Sequence, residues 1–270
     1  MLPFKQSRAL MLLCVAVLLA ATALLWLRVR PSNTLASNYP VPGARMSGFP
    51  RVFLWAWERP ERLEFINSRE VGVAFLAATV YLRGEKTIER PRLQPLKVPP
   101  GTTLIAVVRI ESARDAPPVL SERQRTETVE ALARIAHKQN LSALQIDFDA
   151  TESEREFYRA LLLDVRRALP ESMPLSITAL ASWCIFDNWL NNLPLDEAVP
   201  MMFRMGSDGH RINNYLETGG DFRTPLCQCS VGVSTDETSA SLSSSRRIYF
   251  FNPQPWSEST VRQALERSQQ

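Results

Sequence analysis

Two aspartates one residue apart, Asp147 and Asp149, close the apolar segment Leu144-Gln145-Ile146-Asp147-Phe148-Asp149. In an extended strand alternate side chains point to opposite sides. Leu144, Ile146 and Phe148 would then share one face, and Gln145, Asp147 and Asp149 the other. Carboxylates so related lie about 6–7 Å apart along the strand. Like charges at that range push their pKa values apart, so one can hold a proton as an acid while the other stays ionised. Asp149, nearer the strand's end, is the expected general acid or nucleophile, and Asp147, deeper, its tuner. The structural alternative is a carboxylate pair bridged to Arg109 or Arg204.

Other apolar runs end in groups suited to the same chemistry. Cleavage of a glycosidic bond needs two carboxyls across the scissile bond, and Asp236 or Glu237 could supply the second from the far side. Arg109 and Arg204 could clamp hydroxyls or charges, and Gln145 and Asn252 could hydrogen-bond a ligand. Trp55, Trp57, Trp183 and Trp256 lie at such ends and suit the C–H faces of sugar rings. The expected ligand is therefore a carbohydrate. Each group has a plainer reading beside this one: core packing for the tryptophans, helix capping for Asp236 and Glu237, and counter-ions for the arginines.

Eight short apolar runs would position these residues: Val52–Glu58, Val71–Ala77, Leu104–Glu111, Ala143–Asp149, Pro174–Ala181, Ala198–Met205, Ser230–Ser234 and Arg247–Asn252. Helical periodicity marks Thr126–Lys138 and Ser153–Leu169, with Ser121/Gln124 and Ser153/Glu156 fitting capping boxes. Asp208–Glu217 and Ser257–Arg267 are further helices, and 60–68 and 185–193 shorter ones. Thr79–Arg90 reads instead as a hairpin turning at Arg83-Gly84-Glu85-Lys86. Strands alternating with helices imply a parallel sheet. Eight of them predict an α/β fold, a (β/α)8 TIM barrel with an irregular second β/α unit and its chemistry at the C-terminal strand ends. The open doubly wound alternative commonly carries a glycine-rich phosphate loop after its first strand, and none follows here.

Ahead of the barrel, Ala9–Leu27 is apolar and uncharged, and as a helix it would be about 28 Å long, enough to span a bilayer. Residues 1–30 read as an uncleaved signal anchor or transmembrane segment, with a distant cleavage site at Thr34-Leu35-Ala36 as the alternative. Residues 31–50 read as a linker and 51–270 as the barrel domain. A lone anchor before a whole domain is most often an export device, which predicts a bacterial inner-membrane protein with its domain in the periplasm. The net charge of +3 comes from Lys5, Arg8, Arg28 and Arg30. Without them the chain is nearly neutral, which argues against a nucleic-acid partner. Cys184 could bridge to Cys227 or Cys229 in an oxidising compartment, or all three could be buried thiols. With two histidines and one Cys-x-Cys a tetrahedral zinc site is not expected, and no cofactor is predicted. An oxygen-ligated Mg²⁺ or Ca²⁺ remains an alternative. The oligomeric state is not legible.

The segments LQIDFDA (144–150), LSITALASWC (175–184), VPMMFRMG (199–206), GVSTDE (232–237) and IYFFNPQPW (248–256) resemble a bacterial family catalogued as domain-of-unknown-function family 3142. The resemblance runs over about residues 50–260 and implies a glycosidase-like barrel of no established activity. A more distant likeness is to chitinase-type family-18 glycoside hydrolases, whose fourth strand ends in an Asp-x-Asp-x-Glu series. Asp147 and Asp149 match its aspartates, but Thr151 stands where the glutamate would be and Glu152 follows one residue late. The acid would then be Asp149, or Glu237 or Asp236 from across the barrel. The rival to an enzyme is a non-catalytic barrel that binds glycan or a protein at the cell envelope.

Overall fold

A computed structural model describes residues 41–138, 140–238 and 245–269. The barrel strands are β1 (Val52–Ala56), β3 (Val71–Arg83), β6 (Leu104–Ser112), β7 (Ala143–Asp147), β8 (Leu175–Leu180), β9 (Glu197–Met201), β10 (Ser230–Ser234) and β11 (Arg247–Phe251). They pair in parallel from β3 through β6, β7, β8, β9, β10 and β11 to β1, and β1 closes on β3. The molecule is thus a closed eight-stranded parallel barrel with helices around it, and each of the eight expected runs supplies one strand.

Outside the barrel lie α1 (Glu122–Ala136), α2 (Arg155–Ala168), the short α3 (Ala181–Phe186), α4 (Gly209–Glu217) and α5 (Glu258–Ser268). On α2, Phe157, Leu161 and Val165 recur every fourth residue and are buried with Tyr158 and Leu162, the stripe that a 3.6-residue period makes. They share one apolar layer with Leu144, Ile146 and Phe148 of the barrel wall. Ser121 caps α1 by accepting from the Gln124 N–H. The box expected at Ser153/Glu156 forms two residues earlier: the Glu154 carboxylate accepts from the Thr151 N–H and hydroxyl, both at 2.7 Å.

Two crossovers depart from a strand–helix repeat. After β1, residues 60–68 form no helix. β2 (Glu61–Arg62) there pairs with β5 (Leu96–Lys97). After β3 the chain turns at Gly84, whose φ of 53° suits a two-residue hairpin loop, into antiparallel β4 (Lys86–Pro91). The hairpin lies at the expected turn, but β3 runs unbroken into it. A bulge at Leu76–Ala78 inserts one residue and reverses the alternation. Thr79 and Tyr81 thereby pair with Arg109 and Glu111 on the luminal face.

The lower lumen is packed solid. Phe53, Trp55 and Tyr249 stack there with Ile105, Val107 and Val199. Small residues make room: a Cβ on Gly72 would lie 2.3 Å from the Phe53 ring, and one on Gly232 would lie 2.7 Å from Trp55. Met46, fully buried in the same cluster, closes the end where the strands begin. Residues 41–50, read as linker, are therefore part of the barrel, and Arg45 pairs with Asp196 at 3.1 Å. The expected anchor over 9–27 lies outside the described residues. Among the described residues no helix is long and apolar enough to cross a membrane.

Candidate active site

With its base filled, the barrel opens where the strands end. Asp147 is the last residue of β7, and its side chain is 13% exposed. The Thr178 hydroxyl of β8 donates to its Oδ1 at 2.6 Å. On the other side, β6 sets Arg109 in register with Asp147, with Arg109 Nε 4.0 Å from Asp147 Oδ2 and 2.8 Å from Glu111. Asp149 follows at the lip, exposed.

Burial is the main force on Asp147. It lifts the Asp147 carboxyl from 3.8 to about 6 against the Thr178 hydrogen bond, with the charge of Asp149 adding to the rise and Arg109 opposing it. Asp149 is pushed the same way with Arg109 opposing, but at the exposed lip water screens the effect. Both carboxyls are thus pushed toward holding a proton, the deeper Asp147 to about 6. Behind the barrel wall on α2, the fully buried Tyr158 hydroxyl has no hydrogen-bond partner among the described residues, and its pKa is pushed well up by burial and by the two aspartates.

Two grooves meet at Arg109, Asp147 and Asp149. The wider, about 920 Å³, runs along the β3–β4 hairpin past Tyr81, Arg90, Glu111 and Glu154. The smaller, about 400 Å³, is walled by Trp55, Trp57, Phe203, Phe251 and Leu180 and edged by Arg204. Phe203 stacks on Phe251 with ring centres 5.4 Å apart, and Arg109 lies 6.0 Å over the Trp57 ring.

Of the residues singled out in the sequence, Asp147, Asp149, Arg109, Trp55, Trp57 and Arg204 line these grooves. Arg204 arrives by an unexpected route. β9 stops at Met201, Met202 packs into the outer layer, and a positive φ of 54° at Arg204 turns the chain to the rim. There the guanidinium holds Glu237, and Asp236 at 3.1 Å. Hydrogen bonds from Ser234 and Arg204 keep the Asp236 carboxyl below its usual range. Asp236 and Glu237 are thus paired with Arg204 at the exposed rim.

Four residues are turned away from the mouth. Gln145 is fully buried below it, accepting from the Trp55 indole at 3.0 Å and donating to Ser176 at 3.1 Å. Trp183 packs edge-on against Trp189, 4.9 Å between ring centres, in the outer layer. Trp256 is 5% exposed and donates to the Trp55 carbonyl at 2.9 Å. Asn252 donates to the Gln254 carbonyl and accepts from Thr235, and is 4% exposed. A tryptophan needs a free ring face to carry a sugar, and these side chains are spent on packing and loop closure.

Thr178, Tyr81, Phe203 and Phe251 were missed. Thr178 had a signal, since Ser176 and Thr178 repeat at the strand period. Tyr81 had none, because the bulge decides its face. Among the described residues no group of three or more His, Cys, Asp or Glu is arranged to hold a metal ion. Cys184 and Cys227 are joined by a disulfide, Cα atoms 5.9 Å apart, and Cys229 is free. No protein-family model matches the chain, and no curated protein matches it.

Proposed function

We propose that this protein is a membrane-anchored, glycoside hydrolase-like TIM barrel that acts on carbohydrate of the bacterial cell envelope. The single observation behind the reading is the Asp147/Asp149 pair at the junction of two grooves, one carboxyl raised to about 6 and hydrogen-bonded by Thr178. A carboxyl so raised is half protonated near that pH and can give its proton to a leaving oxygen. Trp57, Phe203 and Phe251 offer aromatic surface for one sugar on the narrow side, and the polar wide groove suits the remainder of the glycan. Export to an oxidising compartment is supported by the Cys184–Cys227 disulfide, and an anchor by the apolar run 9–27. Membership of the family-3142 group remains part of this proposal and rests on the segments quoted above.

The test is turnover of a glycan panel by the wild type against Asp147→Asn and Asp149→Asn. Hydrolysis that falls about 10²–10⁴-fold in Asp147→Asn supports the reading. Binding of a glycan with no hydrolysis by the wild type supports the alternative, a non-catalytic glycan- or protein-binding barrel. The pairing of Asp236 and Glu237 with Arg204 at the rim favours that second reading, because it engages the carboxylates expected to oppose Asp149.

A further inference from the structure

The wide groove that leaves the barrel mouth along the hairpin is lined by four arginines, and they are not equivalent. Arg109 is paired with Glu111 at 2.8 Å, and Arg83 with Asp115 at 2.7 Å. Arg90 and Arg114 are exposed, and among the described residues no carboxylate pairs with either. We propose that these two guanidinium groups form a subsite for an acidic sugar, so that the glycan taken by this groove carries a carboxylate or phosphate beside the unit that meets Asp147. The proposal rests on the carbohydrate part of the reading above and not on hydrolysis.

Sheet register puts the subsite there. Asp147 on β7 is level with Arg109 on β6, Arg109 with Thr79 on β3, and Thr79 with Arg90 on β4. Level residues on neighbouring strands share a face. Arg90 therefore stands on the groove face three strands from Asp147, which sets it beside the reacting bond and not at it. The opposite face of β4 carries Glu89, whose carboxylate is taken by Arg134 of α1 at 2.7 Å.

Both arginines are held ready. The Arg90 guanidinium lies 4.8 Å from the centre of the Tyr81 ring. Stacking of this kind orients a guanidinium but leaves its charge and its in-plane N–H donors free. Arg114 follows β6 on a segment tied to the hairpin: the Ala113 N–H donates to the Leu82 carbonyl and the Gly84 N–H to the Ala116 carbonyl, both at 2.9 Å. Planar forks of donors on a fixed wall match a carboxylate or phosphate in bidentate fashion. The groove's other acids do not compete for them. Asp147 and Asp149 stand at the mouth, and Glu154 is bonded by Thr151 and Ser112. A ligand neutral at the mouth and anionic toward the hairpin complements this division of charge.

Calorimetric titration of the full chain in detergent tests the proposal with three probes: uronic-acid oligosaccharides, the same oligosaccharides with their carboxyls reduced to alcohols, and phosphate-bearing oligosaccharides. An acidic probe should bind at least about tenfold more tightly than the reduced one, and its affinity should fall as salt rises. Arg90→Gln and Arg114→Gln should each lose about tenfold for that acidic probe and little for the reduced one, with unchanged melting temperatures. Arg134→Gln, on the far side of β4, should bind as the wild type does. Tight binding that follows the uronate or the phosphate supports the proposal and says which anion is read. Equal affinity for acidic and reduced probes, no binding of either acidic probe, or full affinity in both arginine variants overturns it. Turnover is scored separately. An acidic glycan bound through Arg90 and Arg114 but never cleaved upholds the subsite and removes the hydrolase reading. Cleavage of neutral glycans with no acidic preference does the reverse.

Discussion

Thr178 donates its hydroxyl proton to Asp147 across the β7–β8 seam at 2.6 Å, yet the carboxyl it touches still sits near 6. Desolvation outweighs the hydrogen bond, and the imbalance has a consequence for stability. An aspartate raised from 3.8 to about 6 binds its proton more tightly folded than unfolded, so stability falls as pH rises through that window and levels off above it. The size is up to about 3 kcal/mol for two pKa units. Urea unfolding from about pH 4 to pH 7 should therefore show the wild type losing stability that Asp147→Asn keeps, with the variant the more stable at neutral pH. A constant difference across the range would refute the assignment.

Filling of the lower lumen predicts a steric effect. Gly232→Ala sets a methyl 2.7 Å from the Trp55 ring in a core with no slack, and overpacking of this kind costs about 1–3 kcal/mol. Gly48→Ala meets nothing within 4 Å and should leave the denaturation midpoint nearly unchanged. Equal midpoints for the two variants would show that the Trp55 ring yields freely.

Buried and exposed ion pairs should behave differently. Glu197 is fully buried, 2.8 Å from Arg247 and bonded by Tyr249 and Ser176. Glu197→Ala strands the guanidinium and should cost about 3–5 kcal/mol. Arg204→Ala breaks two contacts at the exposed rim and should cost less than about 1 kcal/mol. Chemical denaturation of both measures the contrast, and similar losses would mean that the rim loops depend on Arg204.

The disulfide closes a loop of 43 residues. Chain-entropy reasoning gives about 4 kcal/mol for a loop of that length. Cys184→Ser should lower stability by about that amount, and added reductant should lower the wild type but leave the variant unmoved. A wild-type melting temperature indifferent to reductant would argue against the bond.

Much of the fold could be read without coordinates because strand alternation is a local property. Leu144, Ile146 and Phe148 had to lie together, and burying them against α2 obliges Asp147 and Asp149 to face the lumen. Eight such runs and the hairpin turn at Gly84 were visible for the same reason: period and turn chemistry are written in neighbouring residues. The apolar run 9–27 is a property of composition alone.

Only the folded chain settled which polar groups are free to act. Arg204 reaches Asp236 and Glu237 through a backbone turn after β9, so two promising acids are paired with it at the rim. Trp183, Trp256, Gln145 and Asn252 had the right chemistry, but neighbours distant in sequence enclose them. The bulge in β3 turned Tyr81 inward against the alternation begun at Ala74, and burial by the whole barrel raised the Asp147 carboxyl to about 6. Each of these outcomes depends on contacts between residues far apart along the chain, and no short stretch of sequence carries that information.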